Sequence, residues 1–198
     1  MQKSYMQPIH LFLVFEKLNT KIWISKKLNL NHSIMLIPNN WFYAINLFIK
    51  KELLMSTSTL IENSAIDCQN YNIDTDQNSL DQNFLENFFF NNKILVFYNY
   101  YNYFLKSKYT FFLIINKLSK NLDSIDRIYS NANWLERETS EMYGINYKWK
   151  LDTRKLLLDY SKIESPMLKE YQTEGTQDVF YNIFENQVTA TKNETVEL

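Results

Sequence analysis

Charged and large apolar side chains are crowded together between residues 132 and 160. The charged ones include Glu136, Arg137, Glu138, Glu141, Asp152, Arg154, Lys155 and Asp159. A buried charge requires a partner, and paired carboxylates are also the residue types of acid–base catalysis. Their apolar neighbours favour burial; these are Trp134, Met142, Tyr143 and Ile145. Because neither a solvated face nor a plain core accommodates both kinds of residue, we expect a packed surface that also meets another protein.

Both ends of a helix can be identified inside this stretch, over residues 134–143. Asn133 is a suitable N-cap, and Glu136 stands three residues later, where it can bond back to the Asn133 amide in a capping box. Gly144 stands where the helix needs a left-handed residue, a conformation that glycine adopts without steric cost. The sequence therefore predicts a short, well-capped helix that carries the charges.

One face of this helix is predicted to be apolar. Trp134, Glu138 and Met142 lie at spacings that share a face. Glu138 would then lie beside the apolar surface and require a partner, for which Arg137 and Arg154 are the candidates. The charges have two interpretations, structural ion pairs or a catalytic set.

The same residues resemble the signature of the thirty-kilodalton subunit family of respiratory complex I, called NADH dehydrogenase subunit 9 where it is mitochondrially encoded. The signature is approximately Ala-Asn-Trp-x-Glu-Arg-Glu-x-Trp-Asp-Met-Phe-Gly-Ile, followed by Asp-Leu-Arg-Arg-Ile-Leu-x-Asp-Tyr. It is matched by Ala132, Asn133, Trp134, Glu136, Arg137, Glu138, Met142, Gly144, Ile145, Asp152, Arg154, Leu157, Asp159 and Tyr160. The resemblance continues without a gap, with conservative exchanges, through Pro166, Lys169, Glu170, Tyr171, Gly175, Asp178, Val179 and Tyr181.

The chain also departs from that signature. Ser140 replaces the family's tryptophan, and Glu141 replaces its aspartate. Two Gly-His pairs of the family are exchanged for Trp149-Lys150 and Glu164-Ser165. The first exchange predicts that Ile145 loses a large apolar neighbour, and the other two predict altered turns at 149–150 and 164–165.

The resemblance implies a non-catalytic subunit of the matrix arm of mitochondrial NADH:ubiquinone oxidoreductase, on the inner membrane. It implies the forty-nine-kilodalton subunit and neighbouring iron–sulfur subunits as partners in a hetero-oligomer. FMN and the iron–sulfur clusters of the complex would be bound by other chains. The expected interface residues and structural ion pairs are Trp134, Glu136, Arg137, Glu138, Glu141, Met142, Gly144, Asp152, Arg154, Lys155, Asp159, Tyr160, Pro166 and Lys169.

Composition excludes several other classes of protein. The 198-residue chain is 45% hydrophobic and 22% charged, which is typical of a globular domain. A net charge of −1 does not provide the basic surface of a nucleic-acid-binding protein. One cysteine, Cys68, excludes an intramolecular disulfide framework and a thiolate cluster, and His10 and His32 alone cannot complete a metal site.

The bias in residue types indicates which kind of genome encodes the chain. The abundant residues, Asn, Ile, Lys, Phe, Tyr and Leu, are largely those of A/T-rich codons, which predicts an organellar gene or, alternatively, an A/T-rich nuclear genome. The apolar run at 9–15 is shorter than the ~20 residues of a membrane span. No arginine precedes Arg127, so an Arg-rich presequence is not expected.

Periodicity predicts an α+β two-layer sandwich, one mixed sheet with helices on one side, for residues 1–160. Strands are expected near 21–25, 31–37 and 56–68, with a hairpin over 93–105 and 108–117. Helices are expected at 9–18, 41–55 and 122–129. The buried face of the second helix would carry Phe42, Ile45, Leu47, Phe48 and Leu53.

Three segments have open interpretations. Residues 69–92 form an acidic, Asn-rich insertion, either a flexible loop or a docked segment. The aromatic run at 99–104 could stack nucleic-acid bases or pack across strands. Residues 161–198 form an extended tail, either a frayed terminus or a strap on a partner subunit, with residues 178–184 expected to be extended.

Two alternatives to the subunit hypothesis follow from the residues. A stand-alone enzyme would use Glu138 and Asp159 as an acid–base pair, and activity of the purified chain would identify it. An organellar nucleic-acid-binding protein is the other, and it conflicts with the near-neutral charge.

Overall fold

The computed structural model describes residues 23–29, 32–51, 58–69, 92–160, 165–172, 175 and 177–193. The helix predicted at 9–18 lies outside these residues. So does the insertion predicted at 69–92, except for its end residues Gln69 and Asn92. Among the described residues, no helix has the length and apolarity of a membrane span.

A five-stranded mixed sheet forms one layer. Its strands are β1 (Trp23–Asn29), β2 (His32–Leu36), β3 (Ser58–Asp67), β4 (Lys93–Asn102) and β5 (Ser107–Asn116). They lie in the order β1-β2-β5-β4-β3. The pairing of β2 with β5 is parallel, and the other pairings are antiparallel. The predicted strands are thereby confirmed, with shifted ends.

Tyr100 of the aromatic run packs across the β4–β5 hairpin, so cross-strand packing is confirmed for this ring and base stacking is wrong for it. Tyr100 pairs with Tyr109 in the strand register, and their rings stack at 5.2 Å between centroids. Tyr98 and Phe111 are as fully buried as this pair. Rings without exposure cannot receive a nucleobase, and they contribute to the core instead.

Helix α1 (Phe42–Lys51) follows a 3-10 turn at Asn39–Trp41. The prediction was wrong at Leu47, which is exposed, and Phe48 is only half-buried. Leu53 lies outside the described residues. The buried residues are Phe42, Ile45, Asn46 and Ile49. Burial of the polar Asn46 is tolerated because its side chain accepts the Tyr100 hydroxyl at 2.6 Å and donates to the Phe42 carbonyl at 2.9 Å.

Helix α2 (Ala132–Tyr143) packs on β3, on the sheet face that also carries α1. The side chain of Asn63 on β3 donates to Thr139 of α2 at 3.2 Å. Asn63 is the cross-strand partner of Tyr98, whose ring lies 4.6 Å from that of Phe42 in α1. Both helices therefore cover one face, and the two-layer α+β prediction is confirmed.

The predicted helix at 122–129 was wrong. Residues Asn121–Asp123 form strand β6, which pairs in parallel with β7 (Asn146–Lys148), and a turn follows. Leu122 and Ile125 are both buried in the core. Their spacing of three suits a helix, but a short strand and a turn also bring both side chains inward.

Helix α2 begins two residues earlier than predicted, but it ends where predicted. The N-cap is Asn131, whose side chain donates to the Leu60 carbonyl on β3 and makes no cap bond. Gly144 ends the helix at φ +69° and donates its amide to Ser140 at 2.9 Å, as predicted. A Cβ on Gly144 would lie 2.7 Å from Ser165 Oγ, so glycine also permits close packing there.

The end of the described chain forms a separate hairpin of β8 (Gln177–Asn182) and β9 (Gln187–Lys192). This confirms the extended conformation predicted around 178–184 up to the turn after Asn182. Val179, Tyr181 and Val188 share one face of the hairpin and are exposed. An isolated two-stranded hairpin is at best marginally stable in water.

Candidate functional site

Glu136 lies in the interior of the protein with no exposed surface. Its carboxylate accepts the Ser124 hydroxyl at 2.6 Å, the Ile125 amide at 2.9 Å and the Lys150 ammonium at 3.1 Å. The predicted capping box is therefore wrong. Burial raises the pKa of the Glu136 carboxyl, although all three donors favour its ionised form. Glu136 thus joins helix α2 to the turn after β6 and to the residues after β7.

Arg137 holds the segment that follows β7. Its Nε donates to the carbonyl of Arg154 at 2.8 Å, and Nη2 donates to the carbonyl of Lys155 at 3.0 Å. Its Nη1 lies 3.4 Å from Asp152, and the guanidinium lies 5.3 Å from the centre of the Trp134 ring. One side chain therefore fixes two carbonyls and a carboxylate of the same segment.

Glu141, one turn further along α2, holds the next part of the segment. Its two oxygens accept the backbone amides of Leu156, Leu157 and Leu158, the last two at 2.8 and 3.0 Å. Burial opposes ionisation, but the amides and Arg137 outweigh it, so the pKa of this carboxyl lies below its ordinary value. We call Arg137, Glu141 and residues 151–160 the signature clamp.

The contacts of the signature clamp fix the backbone of a segment that has no regular secondary structure, and several side chains of this segment stay exposed. Asp152 and Arg154 form an exposed pair at 2.8 Å, and the pKa of Asp152 lies below its ordinary value because of this partner. Lys155 donates its ammonium to the Asp159 carbonyl at 2.7 Å, and the Tyr160 hydroxyl lies 3.4 Å from the Lys155 carbonyl. The large apolar side chains left exposed here are Trp134, Trp149, Leu151, Leu157 and Tyr160.

The structure corrects the expected apolar face of α2. Trp134 is 59% exposed, and Glu138 is exposed without a salt bridge in the described part of the chain. Met142 is half-buried. The buried residues of the helix are Ala132, Glu136, Arg137, Thr139, Glu141 and Tyr143. Glu138 and Asp159 are both exposed. They therefore lack the burial that raises the pKa of a catalytic carboxylate.

Trp149 occupies a left-handed backbone conformation with φ +63°, and it is 78% exposed. Non-glycine residues adopt this conformation at a cost of about 1–2 kcal/mol. A tryptophan therefore adopts here a backbone conformation that favours glycine.

Replacing Trp149 by glycine is expected to raise the free energy of unfolding by about 0.5–1 kcal/mol, since relief of strain exceeds the entropic cost of glycine. Urea denaturation of the full chain measures the change. Trp149→Ala is the control, because it removes the indole but keeps the strained conformation. Equal stabilisation by both substitutions would contradict the prediction.

A second set of contacts attaches residues 165–171 to the sheet. Asp67 at the end of β3 accepts the Lys169 amide at 3.1 Å and pairs with Lys117 at 2.9 Å. Lys117 also pairs with Glu170 at 2.8 Å, and the Met167 amide donates to Met142 at 3.0 Å. We call the Asp67, Lys117 and Lys169 contacts the tail anchor. Pro166 lies between Ser165, which packs on Gly144, and Met167.

The tail anchor is expected to open in acid. Burial opposes ionisation of Asp67, but Lys117 and the amides of Gln69 and Lys169 outweigh it, so its pKa lies below its ordinary value. In the unfolded chain the pKa of an aspartate is near 3.9, so above that pH the ionised Asp67 stabilises the fold. This stabilisation is lost as the pH falls through the lower pKa of Asp67 in the folded protein. The Lys169 amide should therefore become less protected against hydrogen exchange when the pH is lowered below about 4.

Asp67→Asn supplies the control for that titration, because the asparagine has no charge to lose. Its Lys169 amide should be weakly protected at neutral pH and show no step in acid. A parent protein whose protection is constant down to pH 2 would contradict the assignment.

The sequence predicted Glu136, Arg137 and Glu141 as paired residues but did not indicate the partners that distant elements supply. Ser124, which donates to Glu136, and Lys117, which pairs with Asp67 in the tail anchor, carry no local signal. The described residues contain no group of three side chains with metal-ligating character. The site therefore consists of paired charges that fix backbone beneath an exposed apolar surface.

A family model described as "Respiratory-chain NADH dehydrogenase, 30 Kd subunit" matches residues 36–177. The chain belongs to this family. It is 37% identical over 191 residues to NADH-ubiquinone oxidoreductase subunit 9 of Paramecium primaurelia, covering 96% of this chain and 87% of that protein. The identity to its counterpart in Paramecium tetraurelia is 34% over 177 residues, covering 89% and 80%.

Solved structures share the fold of this family member. The trypsin-resistant fragment of Nqo5 superposes with a TM-score of 0.53 at 15% identity, covering 73% of this chain and 97% of that one. A chain of the archaeal membrane-bound sulfane sulfur reductase superposes with a TM-score of 0.62 at 14% identity, covering 83% and 85%. At these identities the likeness concerns the fold alone.

Proposed function

We propose that this chain is a non-catalytic core subunit of the matrix arm of mitochondrial NADH:ubiquinone oxidoreductase, where it braces the forty-nine-kilodalton subunit. The observation that carries the proposal is the signature clamp. Its backbone is held by Arg137 and Glu141, while Leu151 and Tyr160 are 79% and 69% exposed. Exposed apolar side chains bordered by paired charges match the apolar core and polar rim of a protein–protein interface.

The buried carboxylate supports a structural role for the chain. Glu136 has a raised pKa, a property of catalytic acids, but it has no exposed surface and is enclosed by Ser124, Ile125 and Lys150. A general acid must reach its substrate. A single cysteine also cannot supply the four thiolates of an iron–sulfur cluster. FMN and the clusters would then belong to other subunits of the hetero-oligomer.

The C-terminal hairpin supports the strap hypothesis for residues 161–198. Val179 lies opposite Ala190, and Tyr181 lies opposite Val188, so one face of the hairpin is apolar. These pairs are exposed, with Val179 at 66% and Val188 at 67%. We infer that a neighbouring subunit covers this face, and that the tail anchor directs the strap toward it.

Native electrophoresis tests the proposal most directly. A tagged copy of the full chain, solubilised with mild detergent from mitochondrial membranes, is expected to co-migrate with NADH-oxidising, iron–sulfur-containing material. A lone species with the 23.9 kDa mass of the single chain, recovered from active membranes, would contradict it.

Photo-crosslinking tests the bracing of the forty-nine-kilodalton subunit. A photoreactive residue at Leu157, on the clamp, should give an adduct with that subunit in the assembled complex. The same residue at Leu118, which is 90% exposed after β5, is the matched control. Equal adducts from both positions, or adducts from neither, would place the interface elsewhere.

A further inference from the structure

A row of side-chain hydrogen bonds joins four strands of the five-stranded sheet. His32 Nε2 on β2 lies 3.0 Å from the hydroxyl oxygen of Thr110 on β5. That hydroxyl donates to Asn99 Oδ1 on β4 at 2.5 Å, and Asn99 Nδ2 donates to a carboxylate oxygen of Glu62 on β3 at 2.9 Å. The row therefore runs from β2 to β3, the end strand of the sheet.

This row lies on the sheet face opposite the two helices. Asn63 and Tyr98, which contact α2 and α1, are the strand neighbours of Glu62 and Asn99. Successive side chains of a strand point to opposite faces, so Glu62 and Asn99 point away from the helices. The row is thus separate from the signature clamp, which is built on α2.

All donors of the row point toward Glu62. A carboxylate accepts hydrogen bonds, so the amide nitrogen of Asn99 must face it and Oδ1 must face Thr110. Because the one hydroxyl proton of Thr110 is donated to Asn99, His32 Nε2 is the donor to Thr110. The Nε2–H tautomer of His32 therefore begins the row and the Glu62 carboxylate ends it.

The middle of the row is buried, with Asn99 8% and Thr110 5% exposed. An apolar pair would fill these positions without desolvating polar groups, which is unfavourable in itself. The row therefore contributes more than packing, since it fixes the orientation of the carboxylate at its end.

Glu62 is exposed and follows a bulge in β3. The register with β4 shifts between Leu60 and Glu62, so Ile61 has no cross-strand partner. Bulges bend an edge strand and redirect its side chains. Ile61 is 51% exposed, and Ile66, further along β3, is 46% exposed. We call Ile61, Glu62 and Ile66 the β3 patch.

We propose that the β3 patch binds a lysine or arginine side chain of a neighbouring subunit, whose cationic group pairs with Glu62 and whose aliphatic stem packs on Ile61. Within the described ranges Glu62 has no salt bridge, and only one of its oxygens accepts a hydrogen bond. A long basic side chain combines the charge and the apolar stem that complement the patch. The proposal rests on the proposed function, because the basic side chain belongs to another subunit of the complex.

A free metal ion fits the β3 patch less well than a basic side chain. Calcium takes six to eight oxygen ligands, whereas the patch supplies a single carboxylate. Two exposed isoleucines are also no part of a cation site, but they provide the apolar contact area of a protein interface.

Removing the charge of Glu62 tests the proposal. Glu62→Gln keeps the size of the side chain and an acceptor for Asn99, so the thermal midpoint of the full chain should be unchanged. Its incorporation into the complex, measured against an equally expressed parent copy, should fall about fivefold or more. Glu62→Lys should be incorporated still less, because like charges repel. Leu118→Lys is the control, since it adds the same cation at a position that is 90% exposed after β5.

A second pair of variants tests whether the row positions the carboxylate. Thr110→Val removes the hydroxyl and keeps the shape of the side chain, whereas Thr110→Ser keeps the hydroxyl. Incorporation should fall severalfold for the valine alone, and Thr110→Val should cause no further loss when it is combined with Glu62→Gln. Equal losses in both backgrounds would show an effect on folding and would overturn the positioning role.

The outcomes separate this proposal from the proposed function. If the parent chain itself does not enter the complex, the proposed function fails. If the parent enters and Glu62→Gln enters equally well, the proposed function stands and the β3 patch binds no basic side chain. A photoreactive residue at Ile61 should give an adduct with a lysine- or arginine-containing peptide of a neighbouring subunit. An adduct with a peptide that lacks both residues, or no adduct, would also overturn the proposal.

Discussion

Replacing Lys150 by methionine is expected to lower the free energy of unfolding of the full chain by about 3–5 kcal/mol. The Lys150 and Glu136 side chains are almost fully buried and lie 3.1 Å apart. Removing the ammonium leaves a carboxylate in the interior with only neutral donors, Ser124 and Ile125. Urea denaturation at neutral pH measures the loss.

The double variant Glu136→Gln with Lys150→Met is the control. Without either charge, most of the stability should return, since a neutral amide still accepts a hydrogen bond. The deficit of Lys150→Met alone should also shrink as pH falls. Burial already raises the pKa of Glu136, and protonation removes the uncompensated charge. A double variant as unstable as the single one would contradict a desolvated pair.

Replacing Arg137 by alanine is expected to lower the amount of assembled complex about tenfold or more, while turnover of each remaining complex changes little. Three contacts are lost together, to the carbonyls of Arg154 and Lys155 and to Asp152. Truncating one partner of a buried, hydrogen-bonded charge costs about 2–5 kcal/mol. The clamped segment would then lose the geometry that presents its apolar side chains. Native-gel quantification and NADH oxidation per complex measure the two effects.

Arg127→Ala is the matched control for that experiment. Arg127 is exposed and does not belong to the expected interface residues, so the same substitution there should leave assembly near the parent level. Normal assembly of Arg137→Ala with slow turnover would contradict the structural role and revive a catalytic one.

The existence of α2 and its C-terminal end were predictable from sequence, because local chemistry determines them. Gly144 takes the left-handed conformation that terminates the helix. The buried face was not predictable, since the apolar Trp134 is exposed and the charged Glu136 is buried. Burial of Glu136 depends on Ser124 and Lys150, which come from other elements. Periodicity describes one helix and contains no information about donors supplied across the fold.

The hairpin of β4 and β5 was predicted well for a similar reason. Its strands are adjacent in sequence, alternate in burial, and are joined by a turn in which Lys106 has φ +50°. The short strand β6 was predicted as a helix because its partner β7 is separated from it by the whole of α2. Three residues of strand carry too little pattern to indicate a parallel pairing at that distance.

The parallel pairing of β2 with β5 also constrains how this chain can fold as it is synthesised. Met35 of β2 lies beside Phe111 of β5, and both are buried only in the completed sheet. At roughly 5–20 residues per second, β5 emerges several seconds after β2. Until then β2 lacks its central neighbour, and Met35 has no core to enter. Folding of the five-stranded sheet therefore depends on a pairing between strands that are far apart in sequence. Until that pairing forms, the nascent chain exposes apolar surface that can aggregate.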